Sequence, residues 1–273
     1  MLLFLPGGLV LASLLATCVI LLRYSFDRWD PAQTMIPAWT LANYVRLITD
    51  PVVGRALMTT LRISLIVTLA CLVLGYPVAY GIARSPRRHL LTFLLITPML
   101  MDVLIRAYGW IVMLGQDGIV NTLMTGLGLW TAPRRLVFTE LSVVLEMIHE
   151  LIPFTVLPIA NVLERIDPQL GEAAMNLRAG PVRSFLHVIL PLSLPGIVAG
   201  TFLTFALAMS AFVAPLVLGG GNVMTLTMLM RQSMFTTLDW PLGSAQSILL
   251  VLIVLAMLAL YRGQLRRAGG VPP

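Results

Sequence analysis

The chain has 273 residues, of which 58% are hydrophobic and 11% charged, with a mean hydropathy of +0.92; soluble domains carry about 25% charged residues, so an ordinary water-soluble globule is excluded. The formal charge is +6, yet all 18 basic residues are arginine, and most flank apolar runs in short loops. That placement suits topology signals better than a phosphate-binding face, so nucleic acid is not an expected partner. Without lysine, no G-x-x-x-x-G-K-[ST] loop exists, and ATP hydrolysis of that type has to come from another polypeptide.

A spanning helix needs about 20 mostly apolar residues, and six such windows occur, at 2–22, 57–83, 90–114, 136–163, 196–218 and 243–261. The expected fold class is all-α, a polytopic membrane protein with six transmembrane helices. No basic residue precedes the first window and no small-x-small cleavage site follows it, so it reads as a retained span and not a secretory signal. Cys18 and Cys71 fall inside apolar stretches, which points to neither a disulfide framework nor a metal-ligand spacing. Arg84, Arg87 and Arg88 crowd the turn between spans two and three, and Arg262, Arg266 and Arg267 crowd the tail, so both are expected on the cytoplasmic side. Six spans then put the N-terminus inside as well. Arg23, Arg28, Arg46 and Arg55 in the first external loop run against the rule, and the density contrast decides the orientation.

Spans three and four carry ionisable residues, which in a membrane default to a functional hypothesis. Asp102 and Arg106 are four apart, so a pair on one helix face is the simpler expectation. Glu146 and Glu150 are also four apart and can face one cavity, but they cannot neutralise each other. They need a cation, a proton or water, and His149 is a nearby partial source. A metal centre from Glu146, His149 and Glu150 is disfavoured, because adjacent His and Glu on a helix point in different directions; no metal site and no catalytic residue are expected. Tyr108 and Trp110, near the outer end of span three, suit interfacial anchoring or stacking on a cationic amine, and the sequence alone does not separate these.

Between spans four and five, Asp167 is a good helix N-cap, Pro168 suits the first helical position and Gly180-Pro181 is a stop. Leu170, Ala173, Ala174 and Leu177 fall at i, i+3, i+4 and i+7, one apolar stripe on a short helix. Such a stripe either packs on the chain's own spans or docks on a partner, where small alanines allow close approach.

Here the chain resembles the permease subunits of binding-protein-dependent ABC importers, whose loop signature is E-A-A-x3-G-x9-I-x-L-P. Glu172-Ala173-Ala174 is followed at the expected distance by Leu190-Pro191, while Arg178 stands at the glycine position, with Gly180 two residues on, and Val188 replaces the isoleucine. The resemblance covers residues 40–262 and leans toward the spermidine/putrescine-type branch through Leu41-Ala42-Asn43-Tyr44, Arg106-Ala107-Tyr108-Gly109-Trp110, Leu151-Ile152-Pro153-Phe154, Glu164-Arg165-Ile166-Asp167 and Asp239-Trp240-Pro241-Leu242-Gly243.

What the resemblance implies is a type I ABC importer permease fold. Residues 1–55 would hold the first span and an external loop, 56–262 the transmembrane domain with a cytoplasmic coupling loop at 164–194, and 263–273 a cytoplasmic tail. Leu170, Glu172, Ala173, Ala174, Leu177, Gly180, Leu190 and Pro191 would form the loop that couples to the ATPase. The implied partners are a second homologous permease, two ATPase subunits and an external solute-binding protein, with lipid around the spans; ATP and Mg would sit on the ATPases, and this chain would hold no cofactor. The expected location is the bacterial inner membrane, and the expected solute a polyamine or a related small solute. Asp102, Tyr108, Trp110, Glu146 and Glu150 are the candidate residues of its path. An ion-coupled secondary transporter is the alternative, against which stands the lack of a visible three-span repeat; a membrane enzyme would need an acid, base or nucleophile set that is not evident.

Overall fold

The computed structural model describes residues 4–167, 169–170 and 180–268. Among these residues the chain is almost wholly helical. In order come α1 (Phe4–Tyr24), α2 (Ala42–Thr49), α3 (Pro51–Arg84), α4 (Arg88–Ile96), α5 (Val103–Leu114), α6 (Ile119–Gly126), α7 (Glu140–Arg165), α8 (Pro181–Ser184), α9 (Leu190–Ser210), α10 (Val213–Leu218), α11 (Leu226–Arg231) and α12 (Trp240–Ala268). Single π-helical turns at Phe185–Ile189 and Gln232–Thr236 continue α8 into α9 and extend α11. Six stretches are long and apolar enough to cross a membrane: Gly7–Tyr24, Pro51–Arg84, Val103–Gly126, Glu140–Arg165, Pro181–Ser210 and Trp240–Tyr261.

The number of spans agrees with the sequence windows, but the third and fifth are displaced. The expected run over 90–114 is broken at Met101–Asp102, because the Asp102 carboxylate accepts the backbone N–H groups of Leu104 and Ile105 and starts α5 afresh. Arg88–Leu100 is left as a separate, shorter apolar helix, and the spanning stretch moves on to Val103–Gly126. Within that stretch the chain pauses between α5 and α6, where the Asn121 side chain bonds the Gly115 carbonyl at 2.8 Å and the Arg134 carbonyl at 3.0 Å. The fifth span starts at Pro181 instead of 196 and ends at Ser210. Extended backbone at Gly180 and the proline after it open α8; the loop helix that Gly180-Pro181 is expected to stop lies outside the described residues.

The helices form two compact units. Met1–Thr60 and Met224–Leu255 make the first. Its core is Val53, Ala56, Leu226 and Leu229, and the buried Thr60 hydroxyl accepts the Leu226 N–H at 2.8 Å to start α11. Buried Asn43 donates to the carbonyls of Ser25 and Asp27, Arg23 pairs with Asp27, and Arg46 reaches Asp239 at 2.8 Å. Two of the four arginines of the first loop, Arg23 and Arg46, are thus committed to ion pairs.

Leu61–Val223 and Ala256–Pro273 make the second unit, organised around α7. Thr139 caps α7 in a reciprocal box with Ser142. The helix buries Val143, Val144, Met147, Leu151, Val156, Ile159, Ala160 and Leu163. Helix α9 lies against it through Gly196 and Gly200, where an added Cβ would stand 2.9 Å from the Pro158 carbonyl oxygen and 2.7 Å from that of Thr155. This small-xxx-small spacing brings two backbones together where packing, not the hydrophobic effect, joins helices. The Thr155 and Thr204 hydroxyls share a hydrogen bond of 2.6 Å in the same seam, and Tyr76 on α3 meets Ser193 at 3.0 Å.

Candidate functional site

The polar centre of the second unit is built on Arg106 of α5. Its three guanidinium nitrogens are all engaged: Nε with Glu146 Oε1 at 3.1 Å, Nη2 with Glu150 Oε1 at 2.9 Å, and Nη1 with the Pro98 carbonyl at 3.3 Å. Glu146 and Glu150 stand one turn apart on α7, so both reach one side chain on the facing helix. The cation that these acids require is therefore Arg106, not His149. Asp102, expected beside Arg106, instead spends its carboxylate on the first turn of α5.

The two glutamates have different surroundings. The Glu146 side chain is 0% exposed and that of Glu150 32%, against 5% for Arg106. Glu146 Oε2 is buried, with no hydrogen-bond partner among the described residues. One guanidinium thus serves two carboxylates, and the cluster holds one acid more than base. Charges inside a span are expensive unless compensated, so the imbalance marks a place where a further positive group is favoured.

Glu150 also lines a cavity of about 310 Å3, together with Val103, Leu151, Phe154, Leu207 and the stretch Ser210 to Ala214. The helix break at Ala211–Phe212, between α9 and α10, forms one wall. The cavity is apolar apart from the Glu150 carboxylate and the Ser210 hydroxyl, which suits a solute with a positive end and an aliphatic body. A larger cavity of about 430 Å3 beside Ile111, Leu114 and Phe138 has Arg135 as its charged lining residue, which repels a cation.

Of the other residues picked from sequence, Trp110 is half-buried and donates Nε1–H to His149 Nδ1 at 3.3 Å. That bond occupies one of the two ring nitrogens through which a histidine binds metal. Tyr108 is exposed on another face of α5. Arg106 was seen in the sequence as a partner of Asp102 and not as the hub of the site. The signal available for it was the uncompensated Glu pair, which called for a cation within reach.

In the loop after α7, the Asp167 carboxylate accepts the Gln169 N–H at 2.9 Å, a helix start at the expected residue. Arg84 donates to the Ile166 carbonyl at 3.3 Å and Arg88 pairs with Glu164 at 3.5 Å, which ties the end of α7 to α3 and α4. Leu170 is exposed, and Leu190 and Pro191 open α9. Glu172, Ala173, Ala174 and Leu177 lie outside the described residues.

Residues 72–269 match the family model of the binding-protein-dependent transport system inner membrane component. The chain is 38% identical over 257 residues to the spermidine/putrescine transport system permease protein PotB of Escherichia coli K12, with 93% of each chain covered. It is 36% identical to the protein of the same name from Haemophilus influenzae, over 89% of this chain and 86% of that one. In fold it is similar to a chain in the crystal structure of a bacterial ABC transporter that imports the acidic polysaccharide alginate, with a TM-score of 0.74, 17% identity and 97% of each chain covered.

Proposed function

The chain belongs to the binding-protein-dependent transport system inner membrane components, and from that premise we propose that it is the permease subunit of an ATP-driven importer of polyamines. The observation that carries the solute class is the identity of 38% over nearly the whole chain to spermidine/putrescine permeases. The site chemistry supports it: the Arg106 cluster has a surplus acid, and the Glu150 cavity is otherwise apolar, as alternating ammonium and methylene groups require. The alginate transporter shares the fold and carries a polyanion, so fold alone does not select the solute.

In this proposal a second, homologous permease completes the path, two ATPase subunits dock underneath, one of them on the loop after α7, and an external binding protein delivers the solute. Leu170, Ala173, Ala174 and Leu177 present the docking stripe, with Glu172 beside it, Gly180 as the bend and Leu190 and Pro191 closing the coupling loop. Glu150, backed by Glu146, supplies negative charge along the path, and Trp110 closes its flank. Both termini are cytoplasmic, and ATP and Mg belong to the partner ATPases.

The test is uptake of radiolabelled putrescine and spermidine into proteoliposomes that hold the assembled complex, with the binding protein outside and ATP inside. Uptake that requires ATP and the binding protein is expected. Uptake by this chain alone, driven by an ion gradient, would establish a secondary transporter instead.

A further inference from the structure

Arg106 is shared between two acids that differ in what each has left to offer. Glu146 is sealed in, holds Nε through Oε1, and keeps Oε2 free of any hydrogen-bond partner among the described residues. Glu150 holds Nη2 and is the acid that faces the cavity. Nε and Nη2 lie on one edge of a guanidinium, the edge that grips a carboxylate with two parallel bonds. The same chain shows that grip between Arg62 and Glu140, with Nε on Oε1 at 3.0 Å and Nη2 on Oε2 at 2.5 Å. The Arg106 edge instead has one nitrogen on each glutamate, a split arrangement that leaves one buried oxygen unpaired.

On the reading that the solute is a polyamine, we propose that Arg106 keeps the ammonium seat on Glu150 filled until solute arrives, and then passes wholly to Glu146. An ammonium entering the cavity takes the Glu150 carboxylate. Nη2 turns to Glu146 Oε2, and the split pair becomes a two-bond fork of the Arg62–Glu140 kind. Without solute one guanidinium is divided between both acids and the cluster keeps a surplus negative charge that draws a cation; with solute each acid has its own cation. The exchange lets a charged solute enter a low-dielectric site without first emptying it of positive charge, a step that is costly when one partner of a buried pair is simply removed. A neutral solute gains nothing by displacing Nη2, so the device selects for cations. Ser210 is exposed on the cavity wall, beside the expected seat of the aliphatic body.

The experiment uses the assembled complex with Cys18→Ala, Cys71→Ala and Ser210→Cys in this chain, and follows the modification of position 210 by the uncharged reagent N-ethylmaleimide. Putrescine is expected to slow modification, and Glu150→Gln to raise the putrescine concentration for half-protection about tenfold or more, the worth of a charge-assisted hydrogen bond. Glu150→Asp, with the charge kept on a shorter arm, should recover part of the protection and serves where the Gln variant does not assemble. Glu146→Gln, which keeps one acceptor but cannot form the charged fork, should also weaken protection, although residue 146 is sealed from the cavity. Protection unchanged in the Glu150 variants, or unchanged in Glu146→Gln, overturns the exchange. If putrescine gives no protection in the parent, the exchange falls; wild-type uptake in the proteoliposome assay then decides whether the polyamine reading falls with it.

Discussion

Asp102 is exposed, yet its Oδ1 lies 2.8 Å from the Leu104 N–H and 3.4 Å from that of Ile105, so its work is at the start of α5. Asn fills an N-cap as well as Asp, whereas Ala leaves the first turn unsatisfied at a cost of about 1 kcal/mol. Asp102→Asn should therefore keep both the thermal stability of the purified complex and its uptake, while Asp102→Ala lowers the melting temperature. Loss of uptake in Asp102→Asn with stability intact would put this carboxylate on the solute path. The sequence offered Asp102–Arg106 as a pair because spacing of four is a local rule. Arg106 prefers acids 40 and 44 positions along the chain because α5 lies against α7, and no local pattern encodes which helices are neighbours. That Glu146 and Glu150 needed a cation was legible; which cation met the need was not.

At the scale of elements, apolar windows gave the number of spans because hydrophobicity summed over about 20 residues survives local irregularity. The same summation hid the breaks, since one carboxylate at Asp102 or an extended residue at Ala211 hardly changes a window of that width. The seam between α7 and α9 is written as Gly196 and Gly200, but glycine in an apolar run has no meaning until its neighbour is known. Gly81 on α3 has nothing within 4 Å of an added Cβ, while Gly200 would place one 2.7 Å from the Thr155 carbonyl oxygen. Gly81→Ala should be neutral or slightly stabilising, by at most about 1 kcal/mol from helix propensity. Gly200→Ala should destabilise by about 1–3 kcal/mol, since a backbone has to move to admit it. Thermal unfolding of the detergent-solubilised complex compares the two. A Gly200→Ala protein as stable as its parent would mean that α7 and α9 part without cost.

For the molecule as a whole, the proposed orientation in the membrane rests on arginine density, and it decides which end of the Arg106 cluster would meet incoming solute. In the proposed orientation the dense turn at Arg84, Arg87 and Arg88, which is expected to resist translocation, puts the α3–α4 junction inside. Because α7 runs from Glu140 to Arg165 toward the loop that also holds Glu164 against Arg88, the end of α7 lies on the same side as that turn. In that orientation Glu146 and Glu150 stand in the outer half of α7, on the side from which the proposed binding protein would deliver. Cysteine labelling tests this directly, provided that the markers are exposed. Asn43 and Asn121 are buried and hydrogen-bonded, and Asn121 falls inside the stretch Val103–Gly126, so they are poor markers. Leu129 and Asn222 are exposed and are expected outside; His89 and Gly180 are exposed and are expected inside. With Cys18 and Cys71 replaced by alanine, an impermeant maleimide on intact cells should label cysteines at 129 and 222. Positions 89 and 180 should react only after permeabilisation. Labelling of position 180 from outside would invert the topology, turn the docking stripe away from any cytoplasmic ATPase, and remove the basis for coupling through that loop.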